Sequence, residues 1–246
     1  MNCLIFLVVR TNSTRLPSKT LLRIKGKPLI KILIDRISII KNIKIVVCTT
    51  NDKSDDILTE YLQKNKIDVF RGSKVNVLRR LYCAAKKYSV EHFIVVEGDD
   101  IFCEPMFIEK TCKILEKKYE FVIWKQLPFG VSPLGINTHK LESFLQRTKI
   151  RNSNTGWGKL LYDSNLFKIK ELKPHNKTLR REEIRLSIDY KEDLQLAKEI
   201  MKKLPKKFSL KEIIKIIDDD IKLQKINDKA KVKYIQNFNQ KIRNMR

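Results

Sequence analysis

The chain has 246 residues, 42% apolar and 33% charged, with 52 Lys and Arg against 28 Asp and Glu, a net charge of +24. That length suits one large α/β domain or a core with an appendage, and the composition is that of a soluble globular chain. No apolar run approaches the roughly 20 residues that span a bilayer, and the apolar start lacks a basic leader and a cleavage site, so a cytoplasmic protein without a membrane span is expected.

Cys3 to Val9 is apolar without a break, the pattern of a strand buried on both faces of a parallel sheet. The loop after it reads Arg10-Thr11-Asn12-Ser13-Thr14-Arg15-Leu16-Pro17-Ser18-Lys19, and a helix opens at Lys27-Pro28. Three cations and several hydroxyls at the carboxyl end of such a strand suggest a site for a polyphosphate anion, against a solvated loop as the plain alternative. Leu16-Pro17 restricts the loop to fewer shapes.

A helix is predicted over Ile30–Ile40, then a β-branched strand over Ile43–Cys48. Thr49-Thr50-Asn51-Asp52 can cap a helix running from about Lys53 to Asn65. Asp68–Phe70 reads as a strand, Arg71-Gly72-Ser73 as a turn and Asn76–Tyr88 as a helix. His92–Val96 is a further strand, followed at once by Glu97-Gly98-Asp99-Asp100. Pro105 opens the next helix at its favoured first position, and Phe121–Trp124 is a strand. Strands separated by helices of this length predict βαβ units and a mostly parallel sheet.

Leu127–Asn137, with two Pro and two Gly, reads as a structured loop, and a helix follows from His139 to about Gln146. Arg151–Gly158 is polar, alternation resumes over Leu166–Leu172, and Arg185–Asp189 reads as a strand ending in a carboxylate. A helix spans Leu194–Met201, within the run Lys191–Lys203. Residues 209–246 are amphipathic to about Leu223 and then polar. The organisation expected is a core domain of 1–204, with an acceptor-side and dimerisation segment at about 125–180, and a basic helical extension over 205–246.

The five cysteines include no CxxC pair and read as reduced and structural, without a zinc site. The +24 charge invites a nucleic-acid reading, but the cations are spread over nearly every segment, so an anionic small substrate is the better use of the field. Asp99 and Asp189 each follow a strand. Magnesium keeps several waters, so one or two carboxylates and substrate phosphates complete its shell. Two such aspartates facing Arg10, Arg15 and Lys19 would suit metal–nucleotide chemistry, whereas a turn or helix-cap role is the alternative for Asp99, Asp100 and Asp189.

Arg10-x-x-Ser13-Thr14-Arg15-Leu16-Pro17-x-Lys19 closely resembles the A-R-x-x-S-T-R-L-P-G-K signature of the cytidylyltransferase family, which includes the CMP-Kdo and CMP-sialic acid synthetases and the spore-coat polysaccharide cytidylyltransferases. Phe70-Arg71-Gly72-Ser73 with Val77-Leu78-x-Arg80 is similar to its R-G-S-x-x-x-V-L-x-R stretch. Gly98-Asp99 falls on its strand-end G-D, and Arg185-Leu186-Ser187-Ile188-Asp189-x-x-Glu192-Asp193-Leu194 resembles R-L-T-V-D-x-P-E-D-L.

The resemblance implies a Rossmann-like, nucleotide-diphospho-sugar transferase fold and a Mg2+-dependent reaction of CTP with an anionic acceptor, giving a CMP-conjugate and pyrophosphate. Carried over, Arg10, Asn12, Ser13, Arg15 and Lys19 would hold the base edge and triphosphate, with Arg71, Gly72, Ser73 and Arg80 lining the nucleotide pocket. Asp99 and Asp189 would hold magnesium, and Arg15, Lys19 and Asp99 would be the catalytic group. Relatives are commonly dimers, so a homodimer is expected.

The signature's glycines are Asn12 and Ser18 here, which predicts a differently shaped loop. Where many relatives carry E-H-V-T, this chain has Thr155-Gly156-Trp157-Gly158. Lys125, Trp157, Lys159 and His139 are the candidates for the acceptor side, with Trp157 read as a packing residue before a stacking one. The expectation is a cytidylyltransferase for surface polysaccharide or glycoconjugate assembly. Its rivals are the same fold with another nucleoside triphosphate, or a non-catalytic nucleic-acid-binding protein.

Overall fold

The computed structural model describes residues 3–148, 150–154 and 156–243, with side chains of the last helix as far as residue 241. Among them are nine strands: β1 (Cys3–Val8), β2 (Arg23–Ile24), β3 (Lys27–Pro28), β4 (Lys44–Thr50), β5 (Asp68–Gly72), β6 (His92–Glu97), β7 (Phe121–Trp124), β8 (Leu134–Asn137) and β9 (Ile169–Leu172). The α-helices are α1 (Leu29–Ile37), α2 (Asp56–Lys64), α3 (Val77–Lys87), α4 (Pro105–Leu115), α5 (Thr138–Thr148), α6 (Trp157–Asp163), α7 (Lys191–Lys203), α8 (Leu210–Asp218), α9 (Ile221–Lys225) and α10 (Asp228–Arg243).

β2 and β3 form a small hairpin, and the other seven strands make one sheet in the order β5-β4-β1-β6-β8-β7-β9. β1 lies between β4 and β6 and is parallel to both. β8 alone runs against its neighbours. Successive side chains of a strand point to opposite faces, and here both faces are covered. Ile5, Leu7 and Val9 enter the core shared with α1, α4 and α7, while Phe6 and Val8 enter the core under α3, α5 and α6. Each fully buried aliphatic side chain contributes roughly 1.5–3 kcal/mol, so this double layer holds the sheet edge rigid. Leu210, Ile213 and Ile217 of α8 belong to the same core as β1.

Four elements depart from expectation. Arg71 and Gly72 are not a turn but extend β5, opposite Thr49 and Thr50. The loop expected over 127–137 contains β8, whose Gly135 lies where a Cβ would come within 2.6 Å of the Thr111 side chain. α6 begins in a stretch that reads as irregular, after Gly156 turns the chain at φ 71°. Arg185–Asp189 is not a ladder strand. It makes one bridge, Arg185 to Phe129, and lies extended, with Ile188 N–H donating to Asp99 O at 3.1 Å.

All five cysteines are free thiols, and no described helix is long and apolar enough to cross a membrane. Thr155 of the acceptor-side stretch, Met1 and residues 244–246 of the tail lie outside the described residues.

Candidate active site

β1, β6 and β7 end on one edge of the sheet, and the segments leaving them enclose a cleft of about 570 Å3. It opens where the strand order turns between β1 and β6, the usual ligand position of an open α/β sheet.

The loop after β1 is anchored at its start. The wholly buried Asp55 accepts the Thr11 N–H at 2.7 Å, the Thr11 hydroxyl at 2.6 Å and the Thr49 hydroxyl at 2.8 Å. Burial would raise this carboxyl, but the hydrogen bonds outweigh it and hold its pKa below the ordinary value. Leu16 is buried and pins the middle of the loop. Ser18 closes it with a left-handed backbone, φ 50°. The left-handed turn is made here without glycine, at a cost of about 1–2 kcal/mol for a residue with a Cβ.

Arg10, Ser13, Arg15 and Lys19 all line the cleft. Lys19 Nζ bridges two carboxylates, donating to Asp99 and, at 2.9 Å, to Asp189 Oδ1. Aspartates from distant segments thus meet at one ammonium. Asp189 also accepts from Arg15 and, at 2.7 Å, from Arg185 Nη2. Burial would raise Asp189, yet Lys19, Arg15 and Arg185 hold its carboxyl well below the usual range. Burial would likewise lower Lys19, and its two carboxylates more than offset that, so the ammonium stays charged. Capping of α7 falls to Asp193, which accepts the Tyr190 N–H at 3.0 Å, leaving Asp189 directed at the cations.

Asp99 and Asp189 are oxygen donors that a hard divalent cation accepts. Among the described residues no group of three or more His, Cys, Asp or Glu is placed to hold a metal, so a cation between these two would complete its shell with water and ligand oxygens. Asp100 also lines the cleft but is buried, and burial pushes its carboxyl well above the usual range. Glu97, half-buried beside Asp99, is pushed up to about 7 and accepts the Trp157 indole N–H at 2.8 Å.

Arg80 reaches the cleft floor although it is only 2% exposed; it donates to Ser73 O at 2.9 Å, and burial lowers its pKa. Asn12, Arg71, Gly72 and Ser73 do not line the cleft. β5 is an edge strand two places from β1, so its end reaches the same sheet edge to one side of the cleft. Arg71 turns to the β4–α2 loop, donating to Thr50 O at 2.9 Å and pairing with Asp56 at 2.6 Å. Gly72 leaves room, since a Cβ there would lie 3.0 Å from Arg80 Cγ. Gly72 and Ser73 thus position Arg80.

Lys125, Trp157 and Lys159 form the wall on the β7 side. Trp157 is buried in the core under α3, which agrees with the packing reading. Lys125 Nζ sits 4.6 Å over the Tyr162 ring, and Lys159 pairs with Asp163 at 2.8 Å. His139, on α5, is away from the cleft. The remaining wall comes from α10, through Tyr234, Phe238 and Lys241. Only the helical spacing of those two aromatics could have signalled it, in a segment that is mostly polar.

The family model for cytidylyltransferase matches residues 4–216, from β1 through the β1 loop, Asp99 and Asp189 to α8. The chain belongs to the cytidylyltransferase family. The chain is 30% identical over 228 residues to an uncharacterized protein of Methanocaldococcus jannaschii, covering 91% of this chain and 93% of that one. It is 26% identical over 213 residues to the spore coat polysaccharide biosynthesis protein SpsF of Bacillus subtilis, covering 82% and 88%. A cytidylyltransferase structure from Leptospira borgpetersenii shares the fold at a TM-score of 0.81 and 24% identity, over 91% of this chain and 96% of that one. CMP:2-keto-3-deoxy-manno-octonic acid synthetase, complexed with CTP, shares it at 0.62 and 14%, over 81% and 98%.

Proposed function

We propose that this cytidylyltransferase couples CMP from CTP to an anionic acceptor and releases pyrophosphate, with Mg2+ as cofactor. The acceptor class is a sugar acid, a sugar phosphate or a small phosphorylated metabolite destined for surface polysaccharide or glycoconjugate. The observation that carries this reading is the meeting of Arg15, Lys19, Asp99 and Asp189 in one cleft at the sheet edge. Two relatives, a spore coat polysaccharide biosynthesis protein and a synthetase complexed with CTP, support the glycan and the nucleotide.

Asp99 and Asp189 would hold Mg2+, whose contribution when bound is neutralisation of phosphate charge. Lys19 and Arg15 receive the charge that grows on the leaving pyrophosphate. The acceptor's own oxygen attacks the α-phosphorus in line, so no protein nucleophile is needed. Lys125 and Lys159, on the β7 wall, attract the acceptor's acid group.

The test is pyrophosphate release from CTP and Mg2+ with a panel of sugar acids, sugar phosphates and polyol phosphates. Asp99→Asn is expected to lower Mg2+-dependent turnover by at least ~100-fold, on the scale of losing a group that stabilises developing charge, while the protein melts as a folded chain. Undiminished turnover in that variant would remove Asp99 from the metal site.

A further inference from the structure

α10 begins beyond residue 216, where the family match ends, and yet it closes one side of the cleft. Tyr234, Phe238 and Lys241 are spaced four and three residues apart, which puts them on one helical face, and all three line the cleft.

The helix is held there by specific contacts. Asn227, just before it, donates to Arg185 O at 3.0 Å and to Asp193 Oδ1 at 2.8 Å. Asn237 donates to the Tyr190 hydroxyl at 2.9 Å. The Tyr234 ring lies 5.1 Å from Phe129 and stacks at 5.9 Å on Phe238. Arg185 sits 4.1 Å over Tyr234, and Arg15 is 5.9 Å from the same ring. The aromatic face thereby seats α10 against the two arginines that hold Asp189.

One turn beyond Phe238, Lys241 lines the cleft together with Arg10 and Arg15. Arg10 and Lys241 have no ion pair among the described residues. Arg15 gives Nη2 to Asp189, but its buried Nε has no partner among them. Burial lowers the pKa of Lys241, and Arg15 and Arg10 add to that while Asp189 opposes it. An anion that spans three cations lining one cleft is stabilised by all of them.

We infer that α10 is part of the polyphosphate site, with Lys241 joining Arg10 and Arg15 as a residue that binds the β- and γ-phosphates of the nucleotide. For the nucleotide this rests on the cytidylyltransferase reading above; for the anion it rests on the cation geometry.

The experiment is calorimetric titration of the full chain, with Mg2+, by CTP, by inorganic tripolyphosphate and by CMP. Lys241→Ala is expected to weaken CTP and tripolyphosphate about tenfold, the scale of one charge-assisted hydrogen bond, and to leave CMP unchanged. Lys241→Arg should restore most of the loss. Equal CTP and tripolyphosphate affinities in Lys241→Ala and wild type would overturn the inference, as would an equal weakening of CMP. Tripolyphosphate binding that depends on Lys241 in a chain indifferent to CTP would uphold the inference and reject the nucleotide reading. CTP binding that ignores Lys241 would do the reverse.

Discussion

Asp55 lies outside the cleft, yet it sets where the β1 loop begins. Three threonine hydroxyls, from Thr11, Thr49 and Thr50, and two backbone N–H groups end on its carboxylate. Asp55→Ala would leave these donors buried and unpaired, and about 3 kcal/mol of stability should be lost in urea unfolding at pH 7. The pH dependence has a definite sign. The folded carboxyl titrates below its ordinary value, close to 3.9 in an unfolded chain, so the native state binds fewer protons. Its stabilisation is complete above about pH 4 and is lost as pH falls through the folded pKa. The gap between wild type and Asp55→Ala should therefore narrow in acid; a gap that widened there would show that Asp55 is held protonated.

At the scale of elements, the segment that carries Asp189 touches the loop after β7 backbone to backbone. Gly130 has φ 95°, and a Cβ on it would stand 2.4 Å from Ser187 N. Gly130→Ala must push the two segments apart and draw Asp189 off Lys19. A loss of about 2–4 kcal/mol is expected in thermal unfolding, together with a fall in pyrophosphate release. A variant that kept both stability and turnover would show that this approach is not needed. The same element explains what the sequence conceals. β1, β4, β6 and β7 are legible because both faces are buried, which writes them as apolar runs. Arg185–Asp189 alternates like a strand, but its partner is an irregular loop, so it earns one bridge and no ladder. β8 is hidden by the glycine that α4 requires, and α6 by its left-handed glycine start. Of the site, Arg15, Lys19, Asp99 and Asp189 are legible from the motifs. Asp55 is not, because a buried anchor and a helix cap use the same residue type, and neither is the wall from α10, which meets the cleft only through tertiary packing.

For the molecule as a whole, the net charge of +24 is spread over the surface, while the cleft gathers Arg10, Arg15, Lys19, Arg80, Lys125 and Lys241 around a low-dielectric floor. Cations outnumber carboxylates in the cleft, and a net positive field there favours a small polyanion and raises its rate of capture. Five carboxylates line the same cleft, among them Asp99 and Asp189, so the site is suited to an anion that brings a cation with it. Nucleotide choice is the most direct consequence to measure. A ligand at 100 times its dissociation constant stabilises a fold by about 2.7 kcal/mol, which for a chain of this size raises the melting temperature by about 5–10 °C. Thermal unfolding with Mg2+ and each of CTP, UTP, GTP and ATP should give that rise with CTP and much smaller ones with the others. An unmoved melt with CTP, or equal shifts with all four, would contradict a cytidylyl-transferring site.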